Sequence, residues 1–378
     1  MIDFMSSRVE IDLVKLGNNV EVLLNLFGKK KIGIMGVTKS VCGIPEIAEV
    51  LVNKGLRILA DSKIDNLKNM RDANIKAEYI LLKTPSLSEV DLVIKNADIS
   101  FNTEIAVIKC LSAAAIKNEC PHKIILMVDM GDLREGILPA DLDRFIEEVL
   151  PLPKITIVGI GANFACLGGV KPTDSKMRTL SFLAEHIEEK FKIPLTYISG
   201  GNSANYNWFM ANDDVGNINN LRIGEAIFLG RETLGRTEIP GLFTDVFTFV
   251  AEVIESKWKA SLPDGERGQN AFGDSPQFLD RGQIRRVILG VGCQDVLVSG
   301  LTPRIDIEIL GSSSDHTIID AKKTELKVGD EVAFDINYGA LLSAMTSPYV
   351  EKKFLRHRDG WTAPVLKGEV EPCRITSD

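Results

Sequence analysis

The sequence predicts an α/β protein with an N-terminal (β/α)8 barrel over residues 1–235 and a C-terminal all-β domain over residues 236–378. Three observations predict it. Short runs of β-branched and apolar residues recur eight times between Lys31 and Phe228, alternating with segments of helical spacing. No Gly-x-Gly-x-x-Gly follows the first run, so the doubly wound dinucleotide-binding sheet lacks its signature. After about Gly235 strand-like runs continue without comparable helices between them.

The elements follow in order. Val9–Phe27 opens on a brief apolar–polar alternation, then places Leu13, Leu16, Val20, Leu23 and Leu24 on one helical face. Lys31–Val37 is a short apolar run that stops abruptly at Thr38-Lys39-Ser40, as a buried parallel strand does. Further strands are expected at Arg57–Ala60, Tyr79–Leu82, Ile99–Phe101, Ile124–Val128, Ile155–Ile160, Leu195–Ile198 and about Leu221–Phe228. The helices between them are expected at Ile44–Asn53, Asp65–Asp72, Leu87–Asn96, Glu104–Lys117, Leu142–Val149, Met177–Lys190 and Ala204–Met210. Beyond the barrel, Phe243–Ser256, Arg285–Leu289, Asp306–Ile309, Thr317–Ile319 and Glu331–Asp335 read as strands. Leu262–Gln283 is polar and glycine-rich, and reads as an exposed excursion.

Composition narrows the function. With 378 residues, 45% apolar and 25% charged, the chain is an ordinary globular protein of about two domains. A net charge of −8 gives no invitation to nucleic acid. No apolar run is long enough to span a bilayer, and the first residues lack the apolar core of a signal peptide. The six cysteines form no CxxC pair, which fits a reducing cytoplasm. The four histidines lack metal-ligand spacing, so no metal site is expected.

Chemistry in a barrel collects at the carboxyl ends of the strands. Lys39 sits at the first of these ends, where an amine suits a Schiff base with an aldehyde cofactor; a surface lysine just past a strand is the plainer alternative. Gly200-Gly201-Asn202-Ser203 follows the seventh strand, and Arg222-Ile223-Gly224-Glu225 follows or lies within the eighth. Glycines let backbone N–H groups approach a phosphate, and Ser203 adds a hydroxyl; a tight turn needing glycine is again the plainer reading. Strands one and eight are neighbours in a closed barrel. A cofactor with both an aldehyde and a phosphate fits between them, and pyridoxal phosphate is such a molecule.

These residues resemble the alanine racemase family of pyridoxal phosphate enzymes, and more closely its alanine/ornithine racemase branch. The resemblance runs over nearly the whole chain. VTKSVCG matches the strand holding the cofactor lysine, which makes Lys39 that lysine. MVDMGDLREGI implies the substrate-side arginine at Arg134, and GIGANFA is the strand-six motif, which implies Asn163 as a cofactor-binding residue. GGNSAN implies phosphate binding by Gly201, Asn202 and Ser203. LRIGEAIFLG implies Arg222 against the pyridine nitrogen, with the amides of Gly224 and Glu225 on the phosphate. GSSSDHTIID resembles the loop that crosses to the partner subunit's site, around Ser314 and Asp315, and SPYVEKKF carries Tyr349 where a phosphate-binding tyrosine is expected.

The chain departs from the family pattern in four places. The tyrosine after the lysine has no counterpart, Asn163 replaces a histidine, and Met127 replaces a modified lysine. Cys293, in GVGCQDV, falls nearest to the catalytic tyrosine of the opposite face. The resemblance implies a homodimeric amino-acid racemase in which Lys39 and Cys293 move the α-proton on opposite faces. Asp295 is another candidate for the second base. Ornithine is the expected substrate, with alanine, lysine or a broader set as alternatives; Asp132, Glu135 and Asp315 are the acids available to a distal ammonium. A decarboxylase of the same fold type is the next reading, but it would want Gly-Gly-Gly and a cysteine–aspartate motif where this chain has Gly-Gly-Asn-Ser and Ser-Ser-Ser-Asp. A non-catalytic pyridoxal phosphate-binding protein would end after the barrel.

Overall fold

The computed structural model describes residues 7–356. Strand β1 (Ser7–Asp12) leads directly into helix α1 (Leu13–Gly28). Asp12 starts that helix by accepting from the Val14 and Lys15 N–H groups at 3.0 Å, a cap that stabilises a helix by about 1 kcal/mol.

The predicted runs close into a parallel barrel. Its strands are β2 (Gly33–Val37), β3 (Ile58–Asp61), β4 (Glu78–Leu81), β5 (Ile99–Asn102), β6 (His122–Val128), β7 (Ile155–Ala162), β8 (Tyr197–Asn202) and β9 (Asn220–Ile223), with β9 pairing back onto β2. Met35, Val37, Ile80, Phe101, Ile125 and Met127 pack together as the filling of the barrel. Around it lie α2 (Pro45–Asn53), α3 (Ile64–Asp72), α4 (Val90–Asn96), α5 (Ile105–Lys117), α6 (Leu142–Val149), α7 (Asp174–Phe191), α8 (Tyr206–Ala211) and α9 (Glu225–Leu229). The expected strand Leu221–Phe228 therefore divides: β9 stops at Ile223, and α9 begins at Glu225 after Gly224 at its N-cap. The apolar stretch Ala226–Leu229 is buried all round, so its periodicity carries no helix signature.

Past the barrel come β10 (Phe247–Ala260), β11 (Gln283–Leu289), β12 (Leu301–Pro303), β13 (Glu308–Ser312), β14 (Thr317–Asp320), β15 (Glu331–Ile336), α10 (Tyr338–Thr346) and β16 (Glu351–Leu355). The sheet runs β12-β15-β10-β11-β14-β13. Two features differ from the expected division of the chain. Strand β1 lies between β10 and β16, so the N-terminal strand belongs to the C-terminal sheet. Its alternation is legible, but its distant partners are not. The region expected to be all-β also contains α10, whose Asn337 cap accepts from the Ala340 N–H at 2.9 Å. This helix packs against the turn at Lys39–Val41 and so ties the second sheet to the end of β2.

One buried group makes the fold pH-sensitive. His122 is buried beside Ser100, with its Nε2 2.8 Å from the hydroxyl. Burial lowers its pKa to about 4. Between that value and the unfolded value of about 6.5, the unfolded chain binds a proton that the folded chain refuses. The stabilisation is thus complete above about pH 6.5 and is lost as pH falls through 4, a total of about 3 kcal/mol. Urea unfolding across this range should show the loss, and His122→Gln should flatten it.

Candidate active site

A cavity of about 500 Å3 opens at the carboxyl ends of the barrel strands, lined by Lys39 from the turn after β2, Arg222 from β9 and Tyr338 from α10, among others. Each wall is built locally. Lys39 starts a 3-10 turn, Lys39–Val41. The preceding Thr38 is held by its N–H on Ala60 O (2.9 Å) and its hydroxyl on Asp61 Oδ2 (2.7 Å). Asp61 is fully buried and also accepts from Lys63 N and Asn66 Nδ2; burial pushes its carboxyl up, against these hydrogen bonds. Gly43, at φ +58°, closes the turn where a Cβ would meet Asn66 O at 2.9 Å.

The β8–β9 wall is a cradle. Asn202 folds the chain over by accepting from Ala204 N at 2.8 Å. Gly201 adopts φ +142°, and a Cβ there would strike Asn205 Oδ1 at 2.1 Å. Ser203 Oγ accepts from Ala226 N at 3.2 Å, and a Cβ on Gly224 would meet Val37 O at 3.2 Å. Glu225 is the first residue of α9, so its N–H has no partner within the helix. Its carboxylate pairs with Arg236; burial raises its pKa, with Arg236 and Lys39 pulling the other way.

Arg222 is buried and held by neutral acceptors: Ser199 Oγ at 2.7 Å, Ala162 O at 2.8 Å and Asn163 Oδ1 at 3.3 Å. Burial, reinforced by Arg134, lowers its pKa to about 10, so it stays charged at neutral pH. Arg134 and Glu135 come from the loop after β6, which returns through the Ile137 N–H to Met127 O at 2.8 Å. Arg134 pairs with Glu135 through two N–H groups and donates to Cys166 Sγ at 2.7 Å.

These residues fit pyridoxal phosphate. Asn163 Nδ2 and Thr233 Oγ1 are buried at the cavity without a protein hydrogen-bond partner, a cost that an oxygen-bearing group offsets. The amine of Lys39 matches the aldehyde, and Ser203 with the N–H groups beside it matches the phosphate.

Of the residues singled out in the sequence, Lys39, Arg134, Asn163, Asn202, Ser203, Arg222, Gly224 and Glu225 line this one cavity, while Gly201 shapes the β8 turn behind it. Tyr349 does not; it is exposed. The tyrosine at the cavity wall is Tyr338, eleven residues earlier and carried there by α10; burial pushes its hydroxyl up to about 12. Asn337-Tyr338 at the start of an unrecognised helix is the signal that sequence reasoning missed, and Arg236 went unnoticed with it. Cys293, Ser314 and Asp315 are exposed and lie outside their own chain's cavity. They form one surface cluster, since Cys293 N donates to Ser313 O and Gln294 N to Ser314 O, both at 2.9 Å. Asp295 is buried and accepts from Gly292 N at 2.9 Å, which gives it a structural place.

A barrel with a lysine and a phosphate cradle facing one cavity, joined to an antiparallel sheet, defines the pyridoxal phosphate enzymes of the barrel class. The comparisons specify it further. Residues 11–232 match the family described as alanine racemase, N-terminal domain. The chain is 41% identical over 355 residues to an ornithine racemase of Acetoanaerobium sticklandii, covering 93% of this chain and 100% of that one. It is 38% identical over 351 residues to a lysine racemase of Thermotoga maritima, covering 92% and 98%. The alanine racemase structure from Bacillus anthracis superposes with a TM-score of 0.74 at 17% identity, covering 94% and 96%. The chain belongs to the alanine racemase family and is a pyridoxal phosphate-dependent amino-acid racemase.

Proposed function

We propose that this racemase interconverts the enantiomers of ornithine, with lysine, alanine or a broader set as the alternatives. The observation that carries the substrate is the 41% identity to an ornithine racemase, sustained over 93% of the chain. The lysine racemase at 38% supports the same substrate type, a diamino acid.

The bound cofactor supplies an electron sink that makes the substrate's Cα hydrogen removable. The chain's own residues do the rest. Ser203 and the N–H groups of Gly224 and Glu225 would hold the phosphate, with Tyr338 at the same cavity wall. Arg222 remains protonated and offers only donors, so it cannot accept from a protonated ring nitrogen; the ring would stay unprotonated there, a weaker electron sink that favours plain removal and return of one proton. Arg134 binds the substrate carboxylate. The Lys39 amine takes the α-proton from one face. Cys293, exposed and outside its own cavity, serves the opposite face of a second copy's site, with Ser314 and Asp315 beside it. The active unit is thus a homodimer. The unpaired cysteines Cys42, Cys110, Cys120, Cys166 and Cys293 fit a cytoplasmic setting.

The test is α-hydrogen exchange. The cofactor-loaded protein is incubated in heavy water with L-ornithine, L-lysine, L-alanine and L-serine, and the α-proton is followed by NMR with chiral analysis. Exchange with appearance of the D-isomer is expected fastest for ornithine. Faster inversion of another amino acid reassigns the substrate, and release of CO2 moves the protein to the decarboxylase reading.

A further inference from the structure

We propose that Glu135 selects the substrate by exchanging its ion pair with Arg134 for the distal ammonium of a diamino acid. This rests on the proposed diamino-acid substrate and adds the residue that recognises it. A distal ammonium entering a half-buried cavity needs a carboxylate, because an unpaired charge there is costly. Of the three acids near the expected pocket, two are spoken for. Asp132 is buried, and its oxygens accept from Cys166 N, Leu167 N and Val170 N at 3.1–3.3 Å, holding the loop after β7. Asp315 lies outside its own chain's cavity, and where the proposed dimer carries it to a second copy's site it arrives already paired with His316 at 2.9 Å. Glu225 lines the cavity too, but it is buried against Arg236 beside the phosphate cradle.

Glu135 remains. It lines the cavity, and both its oxygens face Arg134. Neighbouring residues meet in this way because the loop is sharply bent. Leu133 sits at φ +52° and Gly136 at φ +157°, where a Cβ would strike Asp129 N at 2.3 Å. The pair Arg134–Glu135 therefore presents a cation and an anion side by side. A diamino acid carries the complementary set, a carboxylate for Arg134 and an ammonium for Glu135. When it binds, one internal ion pair is replaced by two with the substrate, and no charge is left unpaired. An amino acid with an apolar side chain takes Arg134 and strands Glu135, so the site rejects it.

The experiment compares L-ornithine with L-norvaline, which has the same carbon chain without the distal amine. In wild type and Glu135→Gln, kcat/KM for α-hydrogen exchange is measured for each, and Kd for each by titration calorimetry. Loss of the Arg134 partner acts on the carboxylate of both amino acids and cancels in the ratio. The ornithine-to-norvaline ratio of kcat/KM should fall about 100-fold in the variant, and the ratio of affinities should move in the same direction. A fall of less than tenfold in variant protein that retains the cofactor's absorbance overturns the proposal. Wild-type protein that exchanges neither amino acid instead withdraws the ornithine reading itself, a result distinct from an unchanged ratio. Glu135→Asp, keeping the charge, should recover part of the ornithine preference if the variant Glu135→Gln loses it.

Discussion

Lys39→Ala is expected to abolish racemisation, lowering kcat by about 10⁴-fold, the upper range for loss of a positioned acid–base group. The reason is in the wall that holds the lysine. Thr38 is fixed on β3 through Ala60 O and Asp61, and Gly43 closes the turn against Asn66, so the amine is presented to the cavity from a rigid support. The amine itself makes no hydrogen bond or ion pair among the described residues. Truncating it therefore removes chemistry without removing a protein hydrogen bond or ion pair, and the cofactor-free variant should melt within a few degrees of cofactor-free wild type. Loss of activity with retained stability identifies Lys39 as a participant. Activity within tenfold of wild type removes it from the mechanism. A small added amine should recover part of the rate in Lys39→Ala, as it would not for a damaged fold.

The parts of this molecule that were legible in the sequence share one property: their signal is local. The barrel strands announce themselves by short apolar runs ended by polar residues, and Lys39, Ser203 and Arg222 sit at those ends. The runs and the structure agree to within a few residues, except at Leu221–Phe228, where burial on every side hides the start of α9. What was not legible depends on distant partners. Strand β1 pairs with β10 and β16, and nothing in Ser7–Asp12 says so. Tyr338 was not singled out because α10 is short and apolar and went unread, so nothing placed its first residue at the cavity wall. The acids tell the same story. Asp132, Glu135 and Asp315 look alike as letters, but three backbone N–H groups claim the first, the cavity takes the second, and His316 pairs with the third outside its own chain's cavity.

Cys293→Ala is expected to slow inversion by about 10²- to 10⁴-fold while leaving one half of the reaction intact. The equilibrium between enantiomers is unity by symmetry, so loss of one base must lower kcat/KM for inversion equally in both directions. Product formation alone thus cannot say which face was lost. Solvent exchange can. If Lys39 serves one face and Cys293 the other, the variant should still wash the α-hydrogen out of one enantiomer, without inverting it, and fail to do so with its mirror image. Equal exchange from both removes Cys293 from the mechanism. The location of Cys293 sharpens the test. It is exposed, sits in a surface cluster with Ser313 and Ser314, and lies outside the cavity of its own chain, so the proposed site needs a second copy. Mixing Lys39→Ala and Cys293→Ala protomers pairs an intact Lys39 with an intact Cys293 at one of the two sites of each mixed dimer. Random exchange makes about half the dimers mixed, so about a quarter of wild-type activity should return from two inactive proteins. A site completed within one chain gives no recovery at all.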